Sequence, residues 1–202
     1  MKLLFVLLAQ AFAYPEVRPA PMHVDIVETY RESQKLSGKK HSDLACQDFA
    51  EGLKLCFRYV SESSLKMVQE KDLKKWEATL AQLEVSVQDK SGKYVHAKRY
   101  QFQEMEDGSG GFWASANKDG WDAAGLFHPQ KLEQLVGKKV FMAIPQSGMF
   151  IFWEQGSPLL NKSVAAGVKE TYNAASYPIS PYVYKWNGEK WVVWGEAVEK
   201  KP

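Results

Sequence analysis

The stretch YPISPYVYKWNGEKWVVWGE (Tyr177–Glu196) places six aromatic side chains and two prolines in twenty residues, and its register decides what kind of sheet the chain builds. Pro178 and Pro181 have no backbone donor, so YPISP reads as an extended crossing or a tight turn outside any internal strand. The strand proper starts at Tyr182. Asn187-Gly188 signals a hairpin, but a two-residue loop there would set Lys185 opposite Lys190, a like-charge pair that costs stability. A four-residue loop, Asn187 to Lys190, instead pairs Trp186 with Trp191 and Tyr184 with Val193. In that register Tyr182, Tyr184, Trp186, Trp191 and Val193 share one face, and Val183, Lys185, Val192 and Trp194 share the other. The aromatic face can serve as a stacking platform for a sugar or peptide. The reading we favour is structural: both faces are mainly apolar, as in a covered sheet, and the rings are expected to pack under a helix running from Val164 to Tyr172, each burying ~150 to 250 Å².

That helix opens at Ser157-Pro158, and Leu159, Leu160, Ser163, Val164, Gly167, Val168 and Tyr172 trace its apolar stripe. Before it, KKVFMAIPQSGMFIFW (138–153) reads as a hairpin with its loop at Ser147-Gly148. DGWDAAGLFHPQKLEQLV predicts a helical turn from Trp121 to Leu126 and a second helix beginning near Pro129, where proline is tolerated. GFWASAN is a short strand after the EDGSGG turn, and YVHAKRYQFQEM reads as one long alternating strand. Trp76, Leu80, Leu83 and Val87 recur at spacings of four, three and four, which predicts one helix from Asp72 onward. LKLCFRYV sets Leu53, Leu55, Phe57 and Tyr59 on the core side of a strand, and LKMVQ follows as a second. Hairpin-connected strands with helices inserted between groups of them predict an α+β single domain, a mainly antiparallel sheet with helices packed on it.

A chain of 202 residues with 45% hydrophobic and 25% charged residues can bury one good core. Its formal charge of +2 comes from 26 basic against 24 acidic residues spread through the chain. No region offers the concentrated basic field a phosphate backbone requires, so nucleic acid is excluded as an expected partner.

MKLLFVLLAQAFAYPE begins with Lys2 before an apolar run, and Ala11-Phe12-Ala13 offers the small residues of a signal cleavage site. We expect residues 1–13 to be a signal peptide cut between Ala13 and Tyr14, residues 14–43 to be a loosely packed leader containing a helix from Val24 to Leu36, and residues 44–202 to form the α+β domain. The expected location is secreted or periplasmic, with no membrane span after cleavage. Cys46 and Cys56 fit either compartment: a disulfide closing a short loop if exported, two small buried hydrophobes in a reduced cell. Their spacing does not make a zinc site.

Catalytic machinery is not legible. His23, His41, His96 and His128 are scattered without ligand spacing, and there is no H-E-x-x-H, P-loop, dinucleotide fingerprint or G-x-S-x-G elbow. No metal and no cofactor is expected. Glu104, Glu106 and Asp107 read as the acidic edge of a turn, Asn161-Lys162-Ser163 matches a glycosylation acceptor, and Asp122 reads as a cap of the turn that follows it. The binding candidates are Trp121, Asp122, Tyr177, Trp186 and Trp191.

The run GLKLCFRYVSESSLKMVQEKDLKKWEATLAQLE, then GWDAAGLFHPQKLEQLVGKKVFMAIPQSGMFIFW, then YPISPYVYKWNGEKW, resembles the YtpQ-like proteins, a bacterial family described as a domain of unknown function. The likeness extends from about Gly52 to Trp194 and is carried by the order of the motifs. It implies a shared α+β fold and no activity, cofactor or catalytic residue. This chain departs from the family in having Ser147-Gly148 where a charged pair often sits, and in its exported reading, since the family is pictured as cytoplasmic. The functional expectation is a non-enzymatic module binding a protein, peptide or glycan partner; the alternative is a cell-envelope hydrolase acting through residues near Asp122 or His96.

Overall fold

In the computed structural model, which describes residues 15–36, 43–61, 64–117, 119–156 and 158–194, Leu53–Ser61 is the strand around which the first sheet is built. The expected signal peptide and Ala13–Tyr14 cleavage site lie outside the described residues. Leu53, Leu55 and Phe57 are fully buried, as the period of two requires. Each such side chain contributes roughly 1.5 to 3 kcal/mol of apolar burial. This strand, β3, pairs along one edge with β1 (Val17–His23) and along the other, end to end, with β2 (Cys46–Ala50) and β4 (Ser64–Met67), all antiparallel.

The second sheet contains β5 (Gln101–Glu104), β6 (Gly111–Ser115), β7 (Val140–Ala143), β8 (Phe150–Glu154), β9 (Val183–Trp186) and β10 (Trp191–Trp194), in the order β10-β9-β7-β8-β6-β5 and again antiparallel. The closing hairpin has the register read from its charges: Trp186 faces Trp191 and Tyr184 faces Val193. Asn187 organises the four-residue loop, its side-chain oxygen accepting from the N–H groups of Glu189 and Lys190 at 2.9 and 2.8 Å.

One core serves both sheets. Leu55 and Phe57 of β3 join Met142, Phe150, Phe152, Tyr184 and Trp191 of the second sheet, with Leu83, Leu126 and Leu132 from the helical segments. The opposite face of the second sheet, including Phe141, Trp153 and Val183, packs on Leu160, Val164 and Val168 of helix Pro158–Ala174. The expectation for the closing hairpin is therefore corrected in one respect. That helix covers Val183 and Trp194, while Tyr184, Trp186 and Trp191 face the shared core between the sheets. The chain is α+β and mainly antiparallel, as expected.

Three local expectations also change. The helix predicted from Asp72 onward is two, α2 (Glu70–Trp76) and α3 (Leu80–Ser91), separated where Glu77 takes the left-handed conformation at φ 51°. Thr79 starts the second: its hydroxyl accepts from Gln82 N at 3.2 Å and its own N–H donates to Gln82 Oε1 at 2.8 Å, a reciprocal cap that outweighs the continuity of the apolar stripe. The long strand predicted over YVHAKRYQFQEM is mostly absent. Gly92–Tyr94 and Ala97–Arg99 are 3-10 turns, because Tyr94 stacks on Trp121 at 4.6 Å and Arg99 turns in to grip Asp119; the strand begins at Gln101. The leader is not loosely packed in its described part. β1 pairs with β3 from Val17 to His23, and the helix that follows, α1 (Val24–Leu36), buries Val27 against Ala20 and Cys56.

Cys46 and Cys56 face each other across β2 and β3 and are disulfide-bonded. Asn161 is buried, and its side chain accepts from Trp153 Nε1 at 3.1 Å. Its carboxamide serves the core, so the glycosylation triplet has a structural use.

Candidate functional site

Pro19 and Pro21 lie on an outer strand for a physical reason. A proline cannot donate to a ladder, so the β1–β3 bonds must run through the alternate residues Arg18, Ala20 and Met22. Among the described residues no strand pairs with the other edge of β1. Against that edge stands the end of the second sheet, where the proline-rich crossing docks: Ser147 N donates to Tyr177 O at 2.9 Å, Ile179 N to Pro145 O at 3.0 Å and Ser180 N to Ile144 O at 3.0 Å. These bonds bring Ile144, Ser147–Met149 and Ser176–Ile179 to face Pro19–Met22, leaving a cavity of about 270 Å³ between the two sheets. Its walls are chiefly apolar, from Pro19, Met22, Met67, Ile144 and Met149, and Ile26 and Tyr177 stand at it exposed.

Two charged residues line this apolar space, Arg58 and Asp122. Asp122 is 4% exposed, and the expectation that it caps the following turn is corrected: its carboxylate reaches back instead, accepting from Ser115 Oγ at 2.9 Å and from Asn117 N at 2.6 Å. The 3-10 helix Asp122–Phe127 has no side-chain cap bond. Next to it, Asp119 takes both arms of Arg99 at 2.8 and 2.9 Å, and Arg18 Nη1 donates to the Asp119 carbonyl. Burial alone would raise the Asp119 carboxyl, but the Arg99 bonds and the Trp121 N–H outweigh it and hold the group below the ordinary carboxylate range. Gly120 lets this turn come so close: at φ 83°, a Cβ there would stand 3.0 Å from Arg18 Cδ and 3.3 Å from Arg58 Nη2.

Arg58 is the member of this group whose hydrogen bonding is incomplete. Burial pulls its guanidinium below the ordinary value, while the charge of Asp122 opposes that shift. Its Nε is buried without an acceptor among the described residues. A guanidinium offers five donors, and this one leaves at least its Nε donor unused. The cavity thus presents a hydrogen-bond donor surrounded by apolar walls.

Of the five binding candidates, the structure brings Asp122 and Tyr177 to the cavity. Trp121 is buried beside it, stacked on Tyr94 at an interplanar angle of 12°, and does not line it. Trp191 is 3% exposed and donates from Nε1 to Leu126 O at 2.9 Å, and Trp186 packs edge-on to it at 5.4 Å. Trp191 is core and Trp186 is half-buried against it, so the two do not make an open platform. His96 is exposed, before the Ala97–Arg99 turn, and does not reach the cavity. Sequence reasoning missed Arg58, Met22 and Met67, which only the pairing of β1 and β4 with β3 assembles; the paired prolines in β1 were the one available signal of an open edge.

A second cavity of about 460 Å³ lies beyond Met22 and Met67, which both cavities share, and is lined by Tyr30, Tyr59 and Gln69 among others. Elsewhere, Ser91 Oγ lies 2.8 Å from His128 Nε2 while donating to Gln88 O at 2.9 Å. The pair has the composition of a nucleophile and base, but Ser91 is fully buried. Among the described residues no cluster of His, Cys, Asp and Glu is placed to hold a metal ion, and no helix is long and apolar enough to cross a membrane.

Compared with family models, with curated proteins and with solved structures, the chain matches none.

Proposed function

We propose that this chain is an exported or periplasmic, non-enzymatic binding module that receives an apolar segment of a protein or peptide partner in the cavity between β1 and the second sheet. The observation that carries this reading is the cavity itself, apolar walls around Arg58, whose buried Nε has no acceptor among the described residues, with Ile26 and Tyr177 exposed beside it. Exposed aromatic residues beside a desolvated pocket are the usual anchors of a protein interface. At about 270 Å³ the space is just under the roughly 300 to 1,000 Å³ of sites that engulf a drug-sized ligand, so it suits one or two side chains. A glycan receives less support, because, of the rings that would stack on it, Trp191 belongs to the core and Trp186 is half-buried against it. The disulfide supports export, where such bonds persist. Kinship with the YtpQ-like family remains a proposal resting on the order of the sequence motifs, and it adds no activity. The alternative, a cell-envelope hydrolase, finds its best support in the Ser91–His128 pair, whose burial speaks against a nucleophilic role.

The test is selection of peptides from a displayed library by the purified, oxidised protein, followed by titration of the selected peptides against wild type and Tyr177→Ala. We expect apolar peptides whose affinity falls about tenfold on loss of the Tyr177 ring, equivalent to ~1.4 kcal/mol. Selection of no peptide, or peptides indifferent to Tyr177 and Met149, would overturn the reading.

A further inference from the structure

The free edge of β1 carries acceptors without donors. Since Arg18, Ala20 and Met22 make the ladder to β3, Pro19 and Pro21 turn their carbonyls to the opposite edge, where neither proline has an N–H to offer. Both prolines line the cavity, Pro19 is itself buried, and among the described residues no donor reaches either carbonyl. Within the same space, Arg58 has a donor, Nε, without an acceptor among the described residues. The site therefore asks its occupant for donors along one line and for an acceptor at one point.

The spacing of the donors discriminates between occupants. Alternate residues of a strand lie about 6.8 Å apart, twice the rise per residue. An extended peptide has N–H groups on one edge at that same interval. Charge narrows the choice further: Asp122 faces the cavity beside Arg58, so the pair is already balanced, and a full anion arriving at Arg58 would meet the Asp122 carboxylate. A neutral acceptor is favoured over a carboxylate.

Resting on the reading of the cavity as a peptide site, we propose that the occupant is an extended peptide running along the free edge of β1. Two alternate N–H groups donate to the carbonyls of Pro19 and Pro21, a main-chain carbonyl accepts from Arg58, and one apolar side chain enters between Met22, Ile144 and Met149. This is strand addition to an edge that prolines protect from other sheets. Pro19 and Pro21 cannot donate, so a second copy of β1 has no ladder to complete there, while a peptide supplying the donors itself can bind.

The experiment takes peptides selected on the oxidised protein, blocks both ends, and methylates the backbone nitrogens one at a time. We expect two methylations, at positions i and i+2, to weaken binding at least tenfold each and the intervening one to have little effect. Arg58→Met is expected to weaken the unmethylated peptide similarly, with thermal unfolding followed alongside to confirm a folded protein. Palmitate is the probe for an anionic apolar ligand and is expected not to compete. Binding that ignores backbone methylation would overturn strand addition while leaving the cavity a peptide site. Competition by palmitate that disappears in Arg58→Met would replace the peptide with an anionic lipid. Selection of no peptide at all would remove both proposals.

Discussion

Tyr184 Oη donates to the carbonyl of Glu51, 3.0 Å away and 133 residues earlier in the chain, and so joins the second sheet to the turn between β2 and β3. The same hydroxyl lies 2.8 Å from Ser180 Oγ, at the end of the proline-rich crossing that walls the cavity. Tyr184 is fully buried, and burial holds its phenol well above the ordinary value, so it stays a neutral donor. Tyr184→Phe keeps the ring and strands both partners. The expected loss is ~1 to 3 kcal/mol, the cost of unpaired buried polar groups, measured as a lowered urea midpoint at unchanged slope. A loss below ~0.5 kcal/mol would mean the two sheets do not depend on this bond.

The disulfide makes a prediction of the same size by another route. Cys46 and Cys56 enclose a loop of ten residues' separation, and constraint of the unfolded chain over such a loop is worth ~2 to 3 kcal/mol. Replacing both with alanine, or reducing the wild type, is expected to lower stability by that amount in urea titrations. An identical midpoint with and without reductant would contradict the bond.

His128 and Asp119 set the response to acid. Burial, followed by the charge of Lys131, lowers the His128 pKa below its ordinary value of 6.5. The unfolded chain then binds more protons than the folded one in the window below 6.5, so the stabilisation is fully present above that pH and drains away as pH falls toward the folded value. Asp119, also lowered, acts in the same sense below the ordinary carboxylate pKa of 3.8. Urea midpoints are expected to fall between about pH 7.5 and 5.5 and again below about pH 4. His128→Gln should flatten the first slope and leave the second. A midpoint rising on mild acidification would reverse the sign and refute the assignment.

Asn161 and Trp153 are predicted to act as a unit. Asn161→Ala removes the acceptor of a buried indole N–H and is expected to cost ~1 to 3 kcal/mol. Once Trp153 is already Phe, the same change should cost distinctly less, since no donor is left behind. Additive losses in this double-mutant cycle would show that the two side chains are independent.

What local chemistry could specify, it specified in the sequence. Leu53, Leu55 and Phe57 announced a half-buried strand by period, Pro129 a helix start, and the clash avoided between Lys185 and Lys190 the loop and register of the closing hairpin. The Thr79–Gln82 cap was also written there but hidden under an apolar stripe that runs across the break. YVHAKRYQFQEM misled because its alternation is real, yet Tyr94 and Arg99 are drawn out of line by Trp121 and Asp119, more than nineteen residues away.

The candidate site belongs almost wholly to the tertiary level. Pro19, Arg58, Asp122 and Tyr177 carry no common motif, and they meet only because β1 pairs with β3 and the crossing docks on Ile144 to Ser147. By itself the sequence determined which faces are apolar, where the chain must turn and that the class is α+β. Only the tertiary structure decided which apolar face meets which: Tyr184 and Trp191 turned to the shared core, and Val183 and Trp194 to the helix. Periodicity records that a face must leave water, and burial is non-directional, so the choice of partner falls to long-range packing and to bonds such as Tyr184 to Glu51.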